Sequence, residues 1–230
     1  MARESRLEIA FIARGRRSPK PLRAAVLALE GAAAADLRTA RALAARFDPG
    51  ALLVAVDGGL ATCRAIRSVP DLFVGDLDST PESPRGISSR IYPVAKDFSD
   101  FSGALDEVSG LGAGVVVIAG LLGGRLDHEW ANLLEVGAAA PRFAGLLAPT
   151  VRGLVVVTAG SVRARPAEGR SFSVFGVGRG ARVSLRGARW KLSKRTLPPG
   201  SLGLSNVAEG ALTLDVHDGV AALVFPGLGS

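Results

Sequence analysis

Residues 51–56 read ALLVAV, apolar at every position, and stop at Asp57-Gly58-Gly59. A strand with one face in water alternates polar and apolar residues. One without alternation is covered on both faces, as in the parallel sheet of an α/β protein. Residues 22–30 (LRAAVLALE), 71–75 (DLFVG) and 115–119 (VVVIA) repeat the pattern, and 91–94 is a further short candidate. Between these runs the spacing predicts an Ala/Leu helix over 34–46, a short helix from the glycines to Ile66 and a helix over 100–108. Another helix follows Gly123-Gly124, with Leu126, Trp130, Leu133, Leu134 and Gly137 recurring on one face. Strands alternating with helices imply βαβ units.

After about residue 150 the helical period disappears. Short strand-like runs follow at 153–158, 161–165, 171–177, 181–185, 188–192, 211–216 and 219–225, separated by Gly, Pro or Ser. That pattern reads as an antiparallel sandwich or barrel. The expected architecture is therefore α/β plus all-β: a three-layer parallel-sheet domain over 21–145, then a C-terminal antiparallel β-sandwich over 150–230. The boundary is expected around Pro141 and Pro149. Residues 1–20, rich in Arg, read as a basic mobile leader.

The chain has 230 residues, 48% of them hydrophobic and 21% charged, which excludes wholesale disorder. One cysteine, Cys63, excludes an intrachain disulfide and a multi-cysteine zinc site, and a lone thiol fits a cytoplasmic location. The apolar run over 111–124 is shorter than a membrane span and holds five glycines, so no membrane partner is expected. P-loop, GxGxxG and HExxH patterns are absent.

The net charge of +7 invites a nucleic-acid reading, but its distribution opposes one. Residues 71–107 hold eight acids and three bases, a net −5 that leaves +12 to the remainder. The acids gather where expected strands end: Asp57; Asp76 and Asp78; Asp97 and Asp100. Arg125, Asp127 and His128 follow the run at 115–119. In open α/β sheets ligands bind beyond the carboxyl ends of the strands, at a switch point in strand order. Carboxylates converging on one rim repel one another unless a cation neutralises them, and oxygen-only ligands with substrate phosphates suit Mg²⁺. Gly58, Gly59, Gly123 and Gly124 let backbone approach a ligand. The helix starting near Arg125 offers N–H groups to an anion, and Arg125 can grip a phosphate in bidentate fashion. Metal, anion cradle and acids together point to nucleotide phosphoryl chemistry.

The stretches VAVDGGL (54–60), PDLFVGDLDS (70–79), KDFSDFSGAL (96–105), GLLGGRLDHEWANLL (120–134) and GSLGLSN (200–206) resemble, in order, those of the thiamine pyrophosphokinase family. The resemblance implies an α/β nucleotide domain followed by a β-sandwich. It implies transfer of the pyrophosphoryl group of ATP to the hydroxyl of thiamine, with Mg²⁺, releasing AMP, in a homodimer with thiamine near the subunit interface. By matching position, Asp57, Asp76, Asp78 and Asp100 would line the metal–nucleotide cleft, with Mg²⁺ held by Asp76, Asp78 and Asp100. Asp97 matches the acidic start of a D-x-T-D stretch. Arg125 would face phosphates and Asp127 the substrate. Ser205 and Asn206 would lie on the thiamine side, and Trp190 would stack on the aminopyrimidine. The sequence departs from the family at Ala61, where DGGAN is usual, at Ser99 in place of Thr, and at Gly103. Either Asp100 or Asp127 would accept the proton of the thiamine hydroxyl. The alternatives are a family member that binds a phosphorylated ligand without transfer, favoured by Ala61, and nucleic-acid binding through the Arg-rich segments.

Overall fold

A computed structural model describes residues 7–12, 22–77 and 86–227. In chain order the elements are β1 (Glu8–Ile12), β2 (Ala24–Ala28), α1 (Ala34–Ala44), β3 (Leu52–Val56), α2 (Gly59–Ala65), β4 (Leu72–Gly75), β5 (Ser88–Ile91), α3 (Asp100–Gly110), β6 (Val115–Ala119) and α4 (Leu126–Ala139). A single 3₁₀ turn (Ala140–Arg142) leads into β7 (Gly145–Thr150), β8 (Gly153–Thr158), β9 (Ser161–Arg165), β10 (Ser171–Ala188), β11 (Leu192–Leu197) and β12 (Asn206–Pro226).

Strands β7, β6, β2, β3, β4 and β5 lie side by side in that order, each neighbouring pair parallel. Every residue of β2 and β6 is buried, as unbroken apolar runs require. Alternate residues face opposite ways. Ala24, Val26 and Ala28 pack with Leu37 of α1 and Leu60 and Cys63 of α2. Ala25, Leu27 and Leu29 pack with Phe101 and Leu105 of α3 and Val136 of α4. The parallel part thus has helices on both faces.

The expected strand at 91–94 is displaced to β5, which is exposed at every position and ends against Gly75. Pro93, with no N–H to give a ladder, lies just beyond it. The apolar stripe expected on α4 faces largely outward. Leu126, Trp130 and Leu134 are 81%, 69% and 60% exposed, while Val136 and Ala139 are the helix's buried residues.

The stretch in which the domain boundary was expected holds a strand. β7 is parallel to β6 on one side and antiparallel to β8 on the other, so the sheet runs without a break into the second half. There β8 and β9 both pair antiparallel with β12. The runs 171–177 and 181–185 belong to one bent strand, β10, with Gly178 and Gly180 at positive φ between them; 211–216 and 219–225 both lie in β12. The run at 188–192 is not a strand: Arg189 and Trp190 form a bend between β10 and β11. β10 lies against β12 with Ser173 opposite Val224 and Ser184 opposite Asp215. One apolar cluster joins Phe172, Leu185, Leu212 and Phe225 here to the α1 face of the parallel strands.

Residues 8–12 correct the expectation of a mobile leader. They form β1, antiparallel to β9, with Ile9 opposite Ala164 and Phe11 opposite Val162. Phe11 packs on Phe47, and buried Leu7 joins the core. The rest of the expected leader lies outside the described residues, as does Asp78.

Candidate active site

The strand order places the switch point. From β2 the chain steps outward through β3, β4 and β5, then returns across β2 to β6, so β2 and β6 are the neighbours whose connections diverge. A cleft of about 630 Å³ opens beyond their carboxyl ends. Glu30 and Gly31 follow β2 there, Gly120, Gly124 and Arg125 follow β6, and Asp57 follows β3. Asp100 reaches the cleft from the first turn of α3, and Asp127, with His128, from the first turn of α4.

Asp57 sits at φ 47°, in the left-handed region that Asp tolerates better than most residues. Its N–H donates to Val74 O at 2.8 Å, and its Oδ1 is buried. Leu77, between Asp76 and Asp78, is also left-handed at φ 70°. Non-glycine residues in this region are strained, and such strain concentrates at functional sites.

Asp76 and Asp100 are joined by a residue that the sequence reading left without a role. Lys96 Nζ lies 2.7 Å from Asp76 Oδ2 and 3.1 Å from Asp100 Oδ2. The side chains of Lys96 and Asp76 are each only 8% exposed. Burial alone would lower the proton affinity of the lysine, but the hydrogen bonds it donates to both carboxylates carry it above the ordinary range. The signal was present in sequence: Lys96 stands four residues before Asp100, inside the acidic segment.

These oxygens form a hard, anionic donor set, and the two carboxylates already converge on one cation, so they fit Mg²⁺. Among the described residues no group of three or more His, Cys, Asp or Glu side chains surrounds one point.

Arg125 and Asp127 form a paired contact, Nε to Oδ1 at 3.2 Å and Nη2 to Oδ2 at 2.7 Å, with both side chains exposed. The hydrogen bonds from Arg125 hold the Asp127 carboxyl below the usual carboxylate range. Those same bonds, with Glu30 adding its field, raise Arg125. Glu30 is a cleft carboxylate that sequence reasoning passed over, because LRAAVLALE read as a strand throughout.

The expected glycines divide. Gly123 and Gly124 have open space where a Cβ would stand, and Gly124 lines the cleft. At Gly59 a Cβ would lie 1.9 Å from the Ala28 carbonyl oxygen, so this glycine is required by the seating of α2 on β2. At Gly58 a Cβ would meet the Glu30 side chain at 2.8 Å. Asp97 is exposed and does not line the cleft. Gly103 faces the Tyr92 ring, where a Cβ would come within 2.6 Å of Cε2.

Trp190 and Asn206 line a second pocket of about 520 Å³, with Lys191, Arg195, Leu202 and Leu204. No residue lines both pockets. The side chain of Asn206 is committed to backbone: its Nδ2 donates to Trp190 O, and its Oδ1 accepts from Trp190 N and Val207 N. Asn206 thus holds the Trp190 main chain while the ring stays half exposed. Ser205 is exposed, at φ 61°, and its N–H donates to Ser173 Oγ.

Residues 43–141, which include Asp57, Asp76, Lys96, Asp100, Arg125 and Asp127, match the family model of the thiamin pyrophosphokinase catalytic domain. Over this stretch the chain is similar to the thiamin pyrophosphokinase family. Solved thiamin pyrophosphokinases share the fold over nearly the whole chain. That from Bacillus subtilis superposes with a TM-score of 0.71 at 20% identity, covering 89% of this chain and 99% of its own. That from Geobacillus thermodenitrificans gives 0.70 at 21%, covering 88% and 97%. The Candida albicans thiamin pyrophosphokinase gives 0.67 at 12%, covering 96% and 98%. No curated protein matches the chain by sequence.

Proposed function

We propose that this protein transfers the pyrophosphoryl group of ATP to the hydroxyl of thiamine, giving thiamine diphosphate and AMP, with Mg²⁺. The observation that carries the reading is Asp100, which lines the switch-point cleft with Arg125 and Asp127 and is tied through Lys96 to Asp76, within the stretch that matches the thiamin pyrophosphokinase catalytic domain. Asp76, Asp100 and Asp78 would hold the ion, which would supply positive charge against the charge developing on the transferred group. Arg125 exchanges Asp127 for a phosphate, since its guanidinium suits either partner in the same paired geometry. Gly124 admits the phosphates close to backbone at the start of α4, where N–H groups favour an anion. Lys96, released from one carboxylate, is placed to meet the same negative charge. The hydroxyl proton passes to Asp100, or to Asp127 once Arg125 has turned from it to the phosphate.

The second pocket adds a requirement. Its titratable lining residues are Lys191 and Arg195, whereas the cleft carries Glu30, Asp57, Asp100 and Asp127. The homodimer that the family resemblance implies would set the Trp190 pocket of one copy against the carboxylates of the other. We place thiamine between two copies, with the exposed Leu126, Trp130 and Leu134 face of α4 covered by the partner. Light scattering should then give twice the chain mass, and Trp130→Glu should give the monomer mass and lose thiamine-dependent turnover. A monomeric native protein would overturn the arrangement.

The reaction is tested by measuring AMP release from ATP and Mg²⁺, with and without thiamine, alongside thiamine diphosphate. Matched yields of both products are expected. ATP binding without either product would favour the alternative, a ligand-binding member in which Ala61, exposed on α2, marks the divergence.

A further inference from the structure

Glu135 has no part in the chemistry described above, yet it is tied to it. It lies on α4, half-buried, and does not line the cleft. Both of its carboxylate oxygens are 2.8 Å from Ser99 Oγ, which donates to them. Ser99 Oγ also accepts the N–H of Ser102 at 2.9 Å and so caps α3. The first residue of α3 is Asp100, whose Oδ2 meets Lys96.

A hydroxyl has one proton to give. Here the proton goes to Glu135, which turns the oxygen lone pairs toward the open end of α3. The cap then fixes the first turn, where backbone N–H groups lack partners within the helix. Glu135 also shares α4 with Asp127, and Arg125 stands at the N-cap of that helix, so the contact sets the start of α3 against the helix that carries the other side of the cleft. A carboxylate withdrawn from water around one hydroxyl partner is unfavourable for stability, and burial pushes the Glu135 carboxyl up from its usual range. For stability alone an amide or apolar side chain would serve better there.

We propose that Glu135 is a positioning residue for the pyrophosphoryl-transfer site: through the Ser99 hydroxyl it fixes the first turn of α3 and the direction in which Asp100 faces Lys96 and the cleft. The inference rests on the functional reading above. Glu135 touches no substrate, and its effect runs through Ser99.

A double-mutant cycle tests this on the full chain, using Ser99→Ala, Glu135→Ala and the double variant. The readouts are kcat and KM for thiamine-dependent AMP formation, Mn²⁺ binding by electron paramagnetic resonance without nucleotide, and Tm. Each single variant should lower kcat and weaken Mn²⁺ binding about tenfold, as loss of an outer partner of a metal ligand does, with KM for thiamine unchanged. The double variant should be no worse than Ser99→Ala. Glu135→Gln, which keeps an acceptor oxygen, should restore both readouts and covers the case in which the alanine variant fails to fold. Additive losses, or wild-type kcat and Mn²⁺ affinity in Glu135→Ala, would overturn the proposal. If the native protein makes no AMP, the functional reading fails while the Mn²⁺ arm still decides the positioning role. A native protein that neither turns over nor binds Mn²⁺ overturns both.

Discussion

At the scale of single residues, the site is a set of charges that hold one another. Removing Lys96 leaves Asp76 and Asp100 facing each other with little water. Lys96→Met should abolish turnover and destabilise the fold by about 2 kcal/mol, the order of an uncompensated buried polar group. For a chain of this length that lowers Tm by roughly 4–8 °C, read by thermal melting. Glu135 works the other way. Its folded carboxyl is raised, so its contribution to stability is full below the unfolded value and is lost as pH rises through the folded one. Glu135→Gln should therefore flatten the decline of stability between acid and neutral pH, measured as urea midpoints across that range. Cys63 is fully buried, and burial pushes its thiol up to about 11. It should resist a disulfide reagent at pH 8 in the native protein and react at once in denaturant.

Much of this was legible from residue order. Asp57, Asp100, Arg125 and Asp127 were expected at strand ends and helix starts, and they line one cleft. Lys96 carried a signal in its four-residue spacing to Asp100, but a lysine among acids passes for solvated surface, and Glu30, at the end of an apolar run, carried none. Asn206 was read as a ligand contact, yet its amide grips the Trp190 main chain. Sequence names a side chain's chemistry but not which backbone it will satisfy.

At the scale of elements, the period of the apolar residues located β2, β3, β4, β6, α1 and α3 closely. It located α4 as well, but there the apolar residues at helical spacing face outward. Periodicity reports that a face is apolar, not what covers it. It also missed β7, whose six buried residues follow a proline-marked stretch and include Pro149. A proline inside a strand argues against one except at an edge, and Pro149 lies past the end of the β6 pairing, opposite only Leu154 of β8. The two glycine pairs give an element-scale contrast. Gly59→Ala should cost about 3 kcal/mol, the upper range of overpacking, because the added methyl meets the Ala28 backbone. Gly124→Ala has room and should leave the urea midpoint nearly unchanged while raising KM for ATP.

At the scale of the molecule, an unbroken path of ten strands runs from β5 to β1. The change of pattern near residue 150 is a change from parallel to antiparallel pairing within one sheet. Shared hydrogen bonding and a shared core make the halves unfold together. The chain has two tryptophans, Trp130 on α4 and Trp190 in the antiparallel half, so each half carries its own reporter. Urea unfolding followed in Trp130→Phe and in Trp190→Phe should give coincident midpoints, matching far-ultraviolet circular dichroism. Two separated transitions would contradict that coupling.

The β7–β8 junction also decides how this molecule can move. A hinge needs a few residues free to change dihedral angles between two bodies, and here that place is filled by ladder hydrogen bonds on both sides. The chain cannot shut over a ligand like a pair of jaws. A ligand gripped at the described rim is met by the reach of a lysine or an arginine rather than by the swing of one half on the other.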